Sequence, residues 1–150
     1  MTDVPPPPPP SAPGGGYGAT GVPALPNPLI SYWKRVVLEN YVNFTGRARR
    51  AEFWWYFLAN LIITIVLNLI DAGLGWGSGY GGVLSGIYGL AVLLPGLAVG
   101  IRRLHDTDKS GCWLLLVLIP IVGLIVLIVF WATDGTRGAN DYGMSEKYPT

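Results

Sequence analysis

The run CWLLLVLIPIVGLIVLIVFWA, Cys112 to Ala132, is 21 residues long and carries no charge. At about 1.5 Å per residue, an unbroken helix of this length crosses the roughly 30 Å hydrocarbon core of a bilayer. Its middle argues against an unbroken helix. Pro120 lacks a backbone N–H and its ring clashes with the preceding turn, and Gly123 follows closely. Two arrangements satisfy the run. It is a kinked span, or a broken run that re-enters the face it left, with its freed backbone groups buried in protein. The expected fold is an all-α integral membrane protein, a three-span helical bundle, with the broken third run as its alternative.

Working outward, two further uncharged runs precede it: Phe53 to Ile70, 18 residues, and Val83 to Ile101, 19 residues. The whole chain is 51% hydrophobic and only 13% charged, against about 25% charged in soluble domains. A net charge of +1 gives no reason to expect a nucleic-acid partner. The single cysteine, Cys112, permits no intrachain disulfide and no thiolate metal cage. The opening MTDVPPPPPP has neither a basic nor an apolar region, so the first span is expected to serve as its own insertion signal.

The connections set the orientation. Lys34, Arg35, Arg47, Arg49 and Arg50 precede the first run, the loop 71–82 holds no Lys or Arg, and the loop after the second run holds Arg102, Arg103 and Lys109. By the positive-inside rule the N-terminus and the 102–111 loop are cytoplasmic and the 71–82 loop is outside. Three full spans would put the C-terminal tail outside. Arg137 and Lys147, set against acidic residues that matter little to orientation, decide this weakly.

Residues 1–28 are rich in Pro and Gly. Pro5 to Pro10 is expected in polyproline II conformation and the segment as a disordered tail, because it cannot bury enough apolar surface to order itself. In 29–44, Leu29, Ile30, Trp33, Val36, Val37, Tyr41 and Phe44 share one helical face. This amphipathic helix either lies in the membrane interface or packs on the rest of the protein. The chain therefore divides into a tail (1–28), a juxtamembrane helix and basic segment (29–52), a membrane domain (53–133) and a polar C-terminal tail (134–150).

Asn60, Thr64 and Asn68 recur every four residues in the first span, with Asp71 after them. A polar stripe in lipid must face a partner, so these residues are read as interhelical contacts, with a polar transport pathway as the alternative. Gly86, Gly89, Gly96 and Gly100 share a face of the second span, which lets backbones approach closely, within the chain or between copies of a homo-oligomer.

The expected cytoplasmic rim holds the unusual charges. Glu52 stands at the lip of the first span, where anionic lipid repels it, and Arg102 and Arg103 end the second span at the same level. A Glu52–Arg pair across the helices explains both. Arg102 and Asp106 are four residues apart and meet if the helix runs on through His105. Ser110 is placed to cap the following segment. His105, Asp106 and Asp108 in one short loop are a poor metal set, and no second histidine exists to complete one, so neither metal nor cofactor is expected. A His–Asp couple without further active-site parts is weak ground for an enzyme.

GRARRAEFWWYF, RRLHDTDKSGCW and GTRGANDYG resemble the three blocks of the bacterial inner-membrane family known as domain of unknown function 805, the YhaH-like proteins. The resemblance covers about residues 29–146. It places Gly46, Arg47, Arg50, Glu52, Arg102, Arg103, Leu104, His105, Asp106, Ser110, Gly111, Gly138, Asn140 and Gly143 at signature positions, with Cys112 standing where an aromatic residue is usual. It implies a small multi-pass inner-membrane protein and supplies no activity. If the last block shares a site with the first two, the C-terminal tail lies inside, against the three-span count. The functional expectation is a non-enzymatic membrane component. Its site is Arg47, Arg50, Glu52, Arg102, Arg103, His105, Asp106 and Asn140, which organise helix ends and bind anionic phospholipid or a protein partner. A small oligomeric transporter or channel subunit, or an enzyme using His105 and Asp106, are the alternatives.

Overall fold

The structure is a computed structural model that describes residues 27–78, 81–145 and 147. The polyproline stretch and nearly all of the tail assigned to 1–28 lie outside the described residues. Apart from two short ladders, the regular elements of the described chain are helical. The elements are α1 (Pro28–Lys34), continued by a π-helical turn (Arg35–Glu39), α2 (Arg50–Gly73), α3 (Val83–Asp106), a 3-10 helix (Gly111–Leu118) and α4 (Val122–Ala132).

α2 and α3 carry 24 residues each, about 36 Å at the helical rise, and both are long and apolar enough to cross a membrane. Protein buries only 17% of the apolar stretch of α2 and 22% of that of α3. Leu69 and Leu90 are 68% and 74% exposed. Side chains of this kind need hydrocarbon around them, because in water each would forgo about 1.5–3 kcal/mol of burial.

The two helices run antiparallel, and the polar stripe lies between them. Asn60 Oδ1 accepts from the Tyr88 hydroxyl at 2.6 Å, and that hydroxyl accepts from Trp33 Nε1 at 3.2 Å, joining α1, α2 and α3. Asn68 Oδ1 accepts from Ser85 Oγ at 3.4 Å, and Thr64 enters only through its carbonyl, which accepts from Asn68 Nδ2. Asp71, in the last turn of α2, is buried and accepts from the backbone N–H groups of Leu84 and Ser85 at 3.0 and 2.9 Å. It caps α3 from the neighbouring helix and satisfies donors that the first turn leaves orphaned. The glycine face divides. A Cβ at Gly96 would meet the Tyr56 hydroxyl and one at Gly100 would meet Trp131, whereas Gly86 and Gly89 have nothing within 4 Å. Within this chain Gly96 and Gly100 thus stand against side chains of neighbouring helices, and Gly86 and Gly89 do not.

The helix expected over 29–44 is shorter and packed. It ends at Glu39, leaving Tyr41 and Phe44 beyond it. Asn40 Nδ2 donates to the Arg35 carbonyl, and Asn43 in turn donates to Asn40 Oδ1. Side-chain amides that bond the local chain offer the backbone an alternative to further helix. Val36 is fully buried in a core with Ala48, Phe53, Tyr56 and Val99. The segment thus climbs α2 instead of lying apart from the bundle.

The third apolar run is not one helix. Its 3-10 half and α4 fold back on each other, with Trp113 meeting Phe130 edge to face at 5.5 Å. Pro120 and Ile121 make the turn. Ile121 has φ 67° and ψ −68°, and Val122 N donates to the Pro120 carbonyl at 2.8 Å. This is the strained form of the γ-turn, rare for any residue and rarer for a β-branched one. Each half is about 16 Å long, half the hydrocarbon thickness. A Cβ on Gly123 would stand 1.7 Å from the Leu116 carbonyl oxygen, so only glycine lets the halves close. Gly123→Ala is expected to lower the thermal midpoint in detergent, with overpacking costing about 1–3 kcal/mol. An unchanged midpoint would argue against this return.

Candidate functional site

The site sits where the lower ends of α2, α3 and α4 meet the chain on either side of them. Glu52 occupies the first turn of α2 and Arg102 the last turn of α3. In an antiparallel pair these are neighbouring ends, and each charge suits its own helix dipole. Arg102 Nη1 donates to Glu52 Oε1 at 2.9 Å, and Arg102 Nη2 to the Arg47 carbonyl at 3.3 Å. Glu52 is fully buried and also faces Arg35, with Nε 3.9 Å from its second oxygen.

Because Arg102 faces α2, Arg103 is turned toward α4. Its Nε donates to the Trp131 carbonyl at 3.0 Å, its Nη2 to the Thr133 carbonyl, and its Nη1 to Asp106 Oδ2. Two of these acceptors stand at the C-terminal end of α4, which attracts a cation. Asp106 pairs with Arg103, three residues before it, and not with Arg102 as the i, i+4 spacing suggests.

Arg47 binds the remaining edge. Nε donates to Asp106 Oδ1 at 2.9 Å, Nη1 to the carbonyls of Gly138 and Gly143 at 2.8 and 3.2 Å, and Nη2 to those of Thr136 and Asp106 at 2.5 and 3.3 Å. One planar guanidinium thereby holds the end of α3 and the C-terminal segment. That segment is shaped by a two-residue ladder, Ala139–Asn140 paired with Gly143–Met144, with register Asn140↔Gly143. Asn140 Nδ2 donates to the His105 carbonyl at 2.8 Å. Tyr142 stacks on His105 with ring centroids 3.9 Å apart and planes 4° from parallel. His105 Nδ1 stands 3.1 Å from the Gly46 carbonyl and, facing a group that only accepts, carries the proton there. Gly135 packs directly over Asp106, where a Cβ would lie 2.2 Å from Oδ2.

Of the residues named from sequence, Arg47, Glu52, Arg102, Arg103 and Asp106 come together and are at most 7% exposed. His105 and Asn140 border them, half-buried. Arg50 does not join. It is exposed at the start of α2. Ser110 Oγ accepts from Cys112 N at 3.3 Å and caps the 3-10 helix. Arg35, Thr136 and Tyr142 belong to the site and are not among the residues expected there, Arg35 having entered only as an orientation charge. The block GTRGANDYG contains two of them, and Arg35 opens the π-helical turn that follows α1.

The geometry defines a helical membrane protein whose two long apolar helices are tied at one end by a buried cluster of ion pairs. The chain belongs to the family described as "Protein of unknown function (DUF805)", which matches residues 41–144. It is 52% identical to "Inner membrane protein YhaH" of Escherichia coli (strain K12) over 116 residues, 77% of this chain and 96% of that protein. It is 50% identical to "Inner membrane protein YhaI" of the same strain over the same shares. "Uncharacterized protein YiiR" is 27% identical over 133 residues. No solved structure matches.

Proposed function

We propose that the protein is a non-enzymatic scaffold of the bacterial inner membrane, with two full spans and a re-entrant hairpin. The Arg/Glu/Asp cluster is its cytoplasmic lock, joining the π-helical turn after α1, α2, α3, α4 and the C-terminal segment. The observation that carries this reading is Arg47, whose three nitrogens bond α3 and the C-terminal segment together. The bonding of Asn60 and Asn68 to α3 favours helix contacts over a transport path. Burial of Arg47, Arg102 and Arg103 favours an internal lock over direct capture of a lipid or partner by these three residues.

The orientation follows from the basic residues beside the lock, and the hairpin returns the chain to the face it left, so both termini are cytoplasmic. Cys112 is exposed and is the only thiol. An impermeant maleimide is expected to label it in inverted membrane vesicles and not in intact cells. A reporter fused after Thr150 should read cytoplasmic. Labelling from outside would overturn the orientation, and an external reporter would overturn the hairpin.

A further inference from the structure

α3 has a proline, Pro95, near its middle, and the ring is fully buried. Pro95 brings no N–H, so the Ala91 carbonyl, one turn earlier, lacks the donor that an unbroken helix would give it. A side chain takes over. The Tyr41 hydroxyl donates to the Ala91 carbonyl at 2.5 Å, and the Tyr56 hydroxyl donates to the next carbonyl, Val92, at 3.1 Å. The two tyrosines differ in what carries them. Tyr56 is buried on α2. Tyr41 is 37% exposed, on the irregular chain between the π-helical turn and α2. That same chain grips α3 again below the proline. Ala48 N donates to the Arg102 carbonyl at 3.0 Å, the Gly46 carbonyl lies 3.1 Å from His105 Nδ1, and Arg47 Nε donates to Asp106 Oδ1 at 2.9 Å.

Residues 41–48 therefore splint α3 across its weak point, with one side-chain bond above Pro95 and several bonds below it. A helix interrupted by proline bends there, and Gly96, directly after, adds no side chain to stiffen the joint. The half of α3 above Pro95 is fastened to α2 through Asp71 and Asn60. The half below carries Arg102, Arg103 and Asp106 into the lock. We propose that Pro95 is a hinge in α3 and that Tyr41 is the strap that holds it closed. While the hydroxyl is bonded to Ala91 the two halves move as one. When it lets go, the lower half swings with the lock attached. Release falls at Tyr41 because that grip is a single bond from an exposed side chain, whereas the lower grip is made by main chain and the buried Arg47. Hydrocarbon holds no water to replace the lost donor, so the open state stays minor in the wild type. The hinge rests on the lock reading only for what the lower half carries.

The test uses the full-length protein in lipid nanodiscs, spin-labelled at the native Cys112 and at Val83→Cys, an exposed position at the start of α3. Double electron–electron resonance then reads the distance across the hinge, and one dominant distance is expected with Tyr41 in place. Tyr41→Phe removes only the hydroxyl. A hydrogen bond of this kind biases an equilibrium about two- to tenfold, so a second distance should gain about two- to tenfold in population. Pro95→Ala returns the missing N–H to the Ala91 carbonyl and should keep a single distance. In that background Tyr41→Phe should be silent, whereas a tyrosine that merely packs would broaden the distance in both. Hydrogen exchange on the unlabelled protein gives a second reading. Tyr41→Phe should speed exchange of the Asn43 and Thr45 amides, which bond only locally, by about two- to tenfold, with Ala48 still protected. An unchanged distance in Tyr41→Phe, or equal broadening with and without Pro95, overturns the strap. Fast exchange at Ala48 in the wild type would overturn strap and lock together, whereas an unchanged distance with Ala48 protected overturns the strap alone.

Discussion

Arg47→Ala is expected to unlock the C-terminal segment and to destabilise the whole bundle. Removing one partner of a buried ion pair costs about 3–5 kcal/mol, because the other charge stays buried without it. Here Asp106 would keep only Arg103. The carbonyls of Thr136, Gly138 and Gly143 would also lose their bonds to the guanidinium, with Gly138 keeping the Ser145 N–H at 3.1 Å, and each such bond lost adds about 0.5–1.5 kcal/mol. Limited proteolysis in micelles should then cut within 133–145 in the variant well before it cuts the wild type, alongside a lower thermal midpoint. Arg47→Lys keeps the charge but offers a compact ammonium in place of the fork, and it should fall between the two. A variant with wild-type proteolysis and midpoint would mean that the segment is held by something else.

The second large effect lies across the α2–α3 pair. Glu52→Ala leaves Arg102 facing Arg35 with no carboxylate between them, whereas Arg102→Ala leaves Glu52 with Arg35 at 3.9 Å. The glutamate variant should therefore be the worse, losing about 3–5 kcal/mol, as for a broken buried pair. Glu52→Gln/Arg102→Met removes both charges while keeping volume, and it should be more stable than either single alanine variant. Unfolding in mixed micelles, run as a double-mutant cycle, measures the coupling. Additive losses would show that the two side chains do not act as a pair.

Much of this was legible in the sequence, for identifiable reasons. A long uncharged run announces a span without any knowledge of its partners, so α2 and α3 could be read directly. Glu52 could be matched to an arginine at the end of α3 by depth alone. Which arginine could not be decided that way, because it depends on how α3 is rotated. Once Arg102 faces Glu52, Arg103 is carried round toward α4 and takes Asp106 with it. Pro120 and Gly123 marked a break in the third run, but the direction of the chain beyond it is set by Trp131, whose Nε1 donates to the Gly100 carbonyl at 3.3 Å. Asp71 reads as the end of a polar stripe. Its role as a cap rests on backbone donors 13 and 14 residues away. The acceptors of Arg47 in the C-terminal segment are main-chain carbonyls, which no side chain advertises. The resemblance marked Gly138 and Gly143 without saying that their oxygens were the point.

The hairpin that turns at Ile121 has a consequence for how the chain is made. On the proposed topology both of its ends lie on one face, and nothing after α3 has to be carried through the bilayer. The polar stretch that this proposal carries across is the glycine-rich connection from Asp71 to Gly82, which has no lysine or arginine to retain it. Its one carboxylate is masked by the first turn of α3. A single pair of helices, joined by a short and nearly uncharged link, is the lightest polar load a two-span protein can ask a membrane to translocate. Under the same proposal the third apolar run enters afterwards, from the side where it was synthesised.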